Sequence, residues 1–286
     1  MNDPVSGTYP SAPEDIALRL DPPPRAEGRE TVTSLTLCGN HESTIRQCLE
    51  HLTWCDEILV VMDSRSSDGT REIVREYTDR IFEREFIAAG DQRNFAIPKA
   101  SCDWVMAVDS DEIISPQLRD DILAKLKDPG GYDAFYVKRA VYFRGKPIKR
   151  CGWGNEKQLR LFRRDKARYD DRRAHAKARI KGPIGQINSF MYHDTIRDFS
   201  GYLERFNDFT SRTSADLWEK GKRATLPRLL LRPAARFMKM YVVRLGFLDG
   251  MRGLLMSVFS AFHVFTKYAK LWEIQNSRTD KRGPEA

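Results

Sequence analysis

Asp109, Asp111 and Glu112 follow directly on an apolar run, Trp104 to Val108, in the stretch Ala107-Val108-Asp109-Ser110-Asp111-Glu112. A short apolar run of this kind reads as a buried strand of a parallel sheet, and the carboxyl end of such a strand is where open α/β sheets bind ligands. Carboxylates left dry and unpaired at that place are costly, so they are either solvated in a turn or hold a divalent cation. Hard cations such as Mg²⁺ take oxygen ligands, commonly one or two carboxylates plus substrate phosphates. A lone D-x-D fits a polar turn as well as it fits a metal. A second acidic group, Asp63 and Asp68 after the run Ile58 to Met62, favours a site. In a parallel sheet the two groups gather at one edge and line one crevice.

The remaining loops narrow what that crevice takes. The loop after the first strand is Gly39-Asn40-His41-Glu42, and the chain has neither a G-x-G-x-x-G fingerprint nor a G-x-x-x-x-G-K-[ST] loop. Neither a dinucleotide nor a P-loop nucleotide is indicated. An aspartyl-nucleophile phosphatase needs D-x-D after its first strand, where this chain has Gly39-Asn40. The pattern suits a nucleoside diphosphate reached through a metal, with the acids as ligands rather than nucleophiles.

The elements that must position these residues alternate. Strand 1 is read as Thr31 to Cys38, followed by a helix with Ile45, Cys48, Leu49 and Leu52 at helical spacing. Strand 2, Ile58 to Met62, precedes a helix with Ile73, Val74 and Tyr77, and a short strand lies near Arg80 to Phe82. Gly90 to Ala100 reads as a helix with Gln92, Arg93 and Asn94 near its start. Pro116 opens another, lined by Leu118, Ile122 and Leu126. Strands alternating with helices imply βαβ units and an α/β fold with a mostly parallel sheet flanked by helices. Beyond Tyr132 the pattern changes to strands at Ala134 to Phe143 and Gln158 to Phe162. Beyond Asp198 it becomes helical, including about Pro227 to Leu245 and Met251 to Trp272.

With 286 residues, 41% hydrophobic and 10% aromatic, the chain can bury a sizeable core. The net charge of +8 is uneven: Lys138 to Lys181 holds seventeen basic residues against four acidic ones, and Lys220 to Arg252 has Asp249 as its only carboxylate. Such basic stretches attract phosphates, anionic lipid or nucleic acid. Five cysteines without a C-x-x-C pair suggest neither zinc nor a disulfide scaffold, and favour a reducing compartment. The longest apolar stretch, Leu254 to Thr266, is too short to span a bilayer. Pro-rich residues 1–30 are expected to be a disordered leader. Residues 31–195 form the catalytic domain, 196–275 a C-terminal helical extension that associates with a membrane, and 276–286 a disordered tail.

From Thr31 to Leu126 the chain resembles the family-2 glycosyltransferases of the GT-A fold. The matching pieces, in order, are strand 1 with Asn40-His41-Glu42, the D-x-x-S-x-D-G-T of Asp63 to Thr70, Gln92-Arg93-Asn94, and Trp104 to Glu112. Gln158 to Arg164, His175, His193 and Phe247-Leu248-Asp249-Gly250 with Gly253-Leu254 resemble a bacterial subgroup that builds the lipopolysaccharide core. The resemblance implies that Asp63 meets the nucleotide base, and that the backbone near Asn40 and Glu42 borders the nucleoside. It implies that Arg93 and Asn94 point toward the nucleotide. Asp111 would ligate Mg²⁺ or Mn²⁺, with Asp109 on the ribose or a metal-bound water. His193, after an apolar strand, is either a further ligand of metal or phosphate or a hydrogen-bonded structural histidine.

These enzymes invert at the anomeric carbon, which requires a base for the acceptor hydroxyl. Here the sequence departs from the pattern, with His175-Ala176 where the subgroup has His-Glu. Asp170, Asp171, Glu156 and His175 remain as substitutes. Arg160, Arg163 and Arg164 are expected either to reach acceptor phosphates or to form a solvated basic face. Arg228, Arg232, Arg236, Lys239 and Arg244, interleaved with Leu229, Leu230, Phe237, Met240, Tyr241 and Leu245, suit an anionic membrane surface or a cover for the sheet. The reading is a cytoplasmic, membrane-peripheral, metal-dependent inverting transferase. It moves a hexose from a UDP-sugar to a lipopolysaccharide-core or related glycolipid acceptor. Rival readings are a non-catalytic nucleotide-sugar or glycan binder, a nucleic-acid-binding protein (which leaves the carboxylates without a purpose), and a nucleotidyltransferase (whose Gly-rich first loop is absent).

Overall fold

The structure, a computed structural model, describes residues 20, 28–154, 156–172, 176–196 and 199–279. Most of the expected leader, most of the expected tail and His175 lie outside the described residues.

The first half alternates as its apolar runs require: β1 (Val32–Cys38), α1 (Glu42–Glu50), β2 (Glu57–Asp63), α2 (Thr70–Arg75), β3 (Ile81–Arg84), α3 (Ala89–Ala96), β4 (Trp104–Asp109), β5 (Glu112–Ile114) and α4 (Pro116–Lys127). β3, β2, β1 and β4 are parallel neighbours in that order. Their side chains divide by the two-residue period of a strand. Trp104, Met106 and Val108 pack with Ile45 and Leu49 of α1 and with Leu118, Ile122 and Leu126 of α4. Val105 and Ala107 face the opposite layer, where Ala96 of α3 and the following Ile97 lie. A strand covered on both faces has no polar side, which is why these runs are continuously apolar. α4 begins where expected, with Pro116 at its first position and the Ser115 hydroxyl accepting from the Leu118 N–H.

The second half contains β6 (Ala134–Phe143), β7 (Lys146–Pro147), β8 (Glu156–Arg163), β9 (Ala167–Tyr169), β10 (Ala178–Ile180) and β11 (Ile184–Ile196), of which β6, β7, β8 and β11 extend the same sheet. β8 inserts antiparallel between β4 and β6; β11 pairs parallel with β6 and antiparallel with the edge strand β5. The sheet is thus parallel through its N-terminal half and mixed beyond it. Arg144 and Gly145, both at positive φ, form the β6–β7 turn. β9 and β10 make a separate ribbon.

Three helices close the fold: α5 (Phe199–Glu219), α6 (Leu226–Met238) and α7 (Gly250–Thr279). Met240 and Met256 pack with Phe143, Ile148 and Cys151, joining the helical part to the β6–β7 end of the sheet. The junction depends on Asp249, whose carboxylate accepts from the backbone N–H groups of Lys149 and Arg150. It also depends on Gly253, where a β-carbon would fall on the carbonyl oxygen of Gly246. α6 packs along α7, yet none of its residues is fully buried.

Candidate active site

In register, Leu37 of β1 lies beside Asp109 of β4, and Cys38 beside Met62 of β2. Asp63 therefore follows at the level of Gly39, whose added β-carbon would sit 3.6 Å from that of Asp63. Two strand spacings, roughly 10 Å, separate the two acid-bearing ends, and they share one rim as the sequence implied. Beyond β4 the rim opens into a cleft of about 760 Å³. It is lined by Leu37, His41, Arg93 and Asp109 to Asp111, by Arg139, Glu156, Arg160 and His193, by Gly152 and Trp153 between β7 and β8, and by Arg205, Arg236 and Arg244 of the helical part.

Asp109 turns toward guanidinium groups. Arg93 of α3 donates to Oδ1 and Arg160 of β8 to Oδ2 at 2.6 Å. Burial opposes its ionisation, but Arg160 and Arg93 overcome that and hold the carboxyl well below the usual range. Glu112, fully buried, accepts from the Asp109 N–H at 3.0 Å and pairs with Arg139 and Arg160. This network fixes the turn from Asp109 to Glu112 and presents Asp111 to the cleft. His193, opposite Glu112 in the β11–β5 pairing, brings Nε2 to 3.2 Å from Asp111 Oδ2. Against the cost of burial, the His193 charge and hydrogen bond hold Asp111 down to about 2; Asp111 in turn raises His193 above its ordinary value. The other oxygen of Asp111 has no hydrogen-bond partner among the described residues.

These side chains fit a hard cation in a limited way. Asp111 and His193 converge, Asp109 is engaged by two guanidiniums, and no three His, Cys, Asp or Glu side chains among the described residues could cage a metal. A cation held here takes its remaining ligands from a substrate, as Mg²⁺ commonly does from phosphates.

Other residues singled out from the sequence have different surroundings. Asp63 accepts two guanidinium hydrogen bonds from the exposed Arg65, plus the N–H groups of Arg65 and Phe86, and Arg65 lowers its pKa. Arg65 thus occupies part of the Asp63 carboxylate. Asn40 and Glu42 hold the β2–α2 loop, accepting from Ser67 N–H and Gly69 N–H respectively. Asn94 does not face the cleft: its amide donates to the Tyr169 carbonyl and accepts from the Tyr169 N–H, tying α3 to β9. Arg163 pairs with Glu30 and Asp133, and Arg164 donates to the Ala100 carbonyl. Of the two readings given for Arg160, Arg163 and Arg164, the acceptor-facing trio does not form, because Arg160 is committed to Asp109 and Glu112.

Of the candidate bases, Glu156 lines the cleft, held by Arg139 at 2.7 Å and Gln158 at 3.0 Å. Asp171 is exposed and lies away from the cleft lining, while Asp170 accepts from the Lys177 N–H and pairs with Arg172. Ala176 does reach the cleft, so the departure from the His-Glu pattern falls inside the site. His41 was not singled out from the sequence. Its Nδ1 accepts from the Gly39 N–H, which puts the proton of the neutral ring on Nε2, and burial lowers its pKa. Of the cleft arginines, Arg236 and Arg244 were legible only as part of a basic C-terminal stretch, and Arg205 was not singled out.

Residues 36–185, just over half of the chain, match the sequence model of Glycosyl transferase family 2. The chain belongs to that family. It is therefore a family-2 glycosyltransferase, and its α/β sheet is the fold expected of one. It is 25% identical over 249 residues to the lipopolysaccharide core biosynthesis glycosyltransferase LpsC of Rhizobium meliloti, covering 85% of this chain and 92% of that protein. An uncharacterized glycosyltransferase of Rickettsia typhi is 24% identical over 254 residues, covering 85% and 87%. Among solved structures, the mannosyltransferase PcManGT of Pyrobaculum calidifontis, in complex with GDP-Man and Mn²⁺, aligns over 91% of this chain and 92% of its own with 16% identity and a TM-score of 0.45.

Proposed function

We propose that this glycosyltransferase moves a hexose from a UDP-sugar to a lipopolysaccharide-core or related glycolipid acceptor, with inversion and with a divalent cation. The supporting observation is the Asp111–His193 pair at the carboxyl end of β4, open to a cleft large enough for a nucleotide sugar. The relative of 25% identity named for lipopolysaccharide core biosynthesis supports the acceptor class. Asp111 and His193 would hold Mg²⁺ or Mn²⁺, which when bound stabilises the leaving diphosphate as a Lewis acid.

The chain's own residues account for the rest. Arg93, Arg160 and Glu112 fix Asp109 so that Asp111 is presented rather than folded back. Asp63, once Arg65 swings aside, offers an acceptor oxygen to a ring N–H of the base. Glu156, directed by Arg139 and Gln158, takes the proton from the acceptor hydroxyl as that oxygen attacks the anomeric carbon. In a single displacement that proton transfer is the step a base accelerates. The exposed apolar faces of α6 and the start of α7, flanked by basic residues, support work at the cytoplasmic face of a membrane.

The test combines a panel of nucleotide sugars, Mn²⁺ and detergent-extracted acceptor, with release of nucleoside diphosphate as the readout. UDP-sugar turnover that depends on acceptor is expected. In Asp111→Asn, transfer should be abolished while the protein stays folded, with some loss of thermal stability because the ion pair with His193 is removed. Full activity in that variant would remove the metal role.

A further inference from the structure

The helical side of the cleft carries positive charge that the fold does not neutralise. Arg93, Arg139 and Arg160 are each paired with Asp109, Glu112 or Glu156. Arg236 and Arg244 have no carboxylate partner among the described residues. Arg236 donates through Nε to the Ser260 hydroxyl at 2.7 Å, which leaves its terminal nitrogens for the cleft. Arg244 lies across Gly152, at φ +83°, where a β-carbon would land on the guanidinium. Burial and then the neighbouring Arg244 charge push Arg236 below its ordinary pKa, as expected of two cations held together without a counter-ion. Trp153, next to Gly152 and partly buried, lines the same wall.

Two guanidiniums and an indole on one wall match a sugar ring carrying an anion: the forks fit phosphate oxygens and the aromatic face fits the ring. The three residues line the same cleft as Asp109 and Asp111. Arg244 sits in the chain between Val243 and Leu245, which with Leu248 are exposed and offer apolar surface to the lipid part of an amphiphile. We propose that Arg236, Arg244 and Trp153 form an acceptor subsite that recognises a phosphorylated sugar. The assignment to acceptor rather than donor rests on the glycosyltransferase reading above.

Mannose 6-phosphate and mannose serve as probes, measured on the full chain by ligand-observed NMR and titration in the presence of UDP and Mn²⁺. The phosphorylated sugar is expected to bind more tightly than mannose. Arg236→Gln and Arg244→Gln should each weaken it about tenfold, Arg244→Lys less, with UDP affinity and melting temperature unchanged. Equal binding of the two probes to the wild-type protein overturns the subsite. So does a loss of UDP affinity in the Gln variants with mannose 6-phosphate unaffected, which gives the pair to the donor diphosphate. Failure of UDP to bind the wild-type protein, with mannose 6-phosphate still bound through Arg236 and Arg244, would leave the subsite standing and strike the nucleotide-sugar reading instead.

Discussion

At the scale of single residues, the site consists of charges whose partners decide their roles. Asp111 was legible because strand-end acids in a parallel sheet have few uses. Asp109 was read as a contact for the ribose or a metal-bound water, yet it serves two arginines that stand 16 and 51 positions away in sequence. No local pattern reveals such a pairing, since it depends on α3 and β8 meeting over β4. Its strength is testable. Arg160→Met leaves Glu112, fully buried, with Arg139 as its one remaining cation among the described residues, and removing one member of a buried ion network is expected to cost about 3 kcal/mol. Chemical denaturation would register it, and an unchanged midpoint would show that the network relaxes. The base is tested at the same scale. Glu156→Gln should lower the turnover number by roughly 100-fold or more with donor affinity retained. Ala176→Glu, which restores the subgroup's residue, should rescue little of that loss in the double variant. If it rescues fully, the proton leaves through position 176 rather than through Glu156.

At the scale of elements, the alternating half of the chain was readable almost to its boundaries, because each apolar run must be covered on two faces. The mixed half was not. β5 has three residues, too few for a periodicity, and the insertion of β8 between β4 and β6 is set by pairing across the sheet rather than by chain order. The motif Phe247-Leu248-Asp249-Gly250 with Gly253 carried a resemblance but no mechanism. In the fold it is a joint. Asp249 accepts from the Lys149 and Arg150 N–H groups, and Gly253 lets α7 approach the Gly246 carbonyl. The joint places the Gly152–Trp153 wall against Arg244, so it governs the cleft without touching a reacting atom. Gly253→Ala drives a β-carbon into that carbonyl, and overpacking of this kind costs about 1–3 kcal/mol. Proteolysis between α5 and α7 should accelerate and acceptor affinity should fall, while UDP binding at the β4 rim holds. Loss of UDP binding in equal measure would mean that the whole sheet has shifted.

At the scale of the molecule, two behaviours follow from where charge and apolar surface lie. Several carboxyls ionise more readily in the folded state. Asp103 does so through the Thr31 N–H and hydroxyl. Glu57 does so because hydrogen bonds from Ser101 and Thr33 outweigh its burial, and Asp109 because Arg160 and Arg93 outweigh its own. Folded values below unfolded ones give stability that is present above about pH 4 and lost as the pH falls through the folded values. Denaturation midpoints should therefore decline below about pH 4, while between about pH 7 and about pH 5 His193, raised, and His41, lowered, act in opposite senses. The second behaviour concerns the outer surface. Leu231, Val243 and Met251 are 67%, 74% and 68% exposed, beside Arg228, Arg232, Lys239 and Arg252, and no helix among the described residues is long and apolar enough to cross a membrane. An exposed apolar ridge rimmed by cations suits the interface of an anionic bilayer, where apolar area and charge attraction add. Binding to phosphatidylcholine vesicles containing phosphatidylglycerol should exceed binding to phosphatidylcholine alone and weaken with salt. The double substitution Val243→Asp, Leu248→Asp should abolish it while soluble UDP binding persists. If the ridge instead joins two copies, sedimentation will show a dimer that this substitution splits, and vesicles will take up neither form.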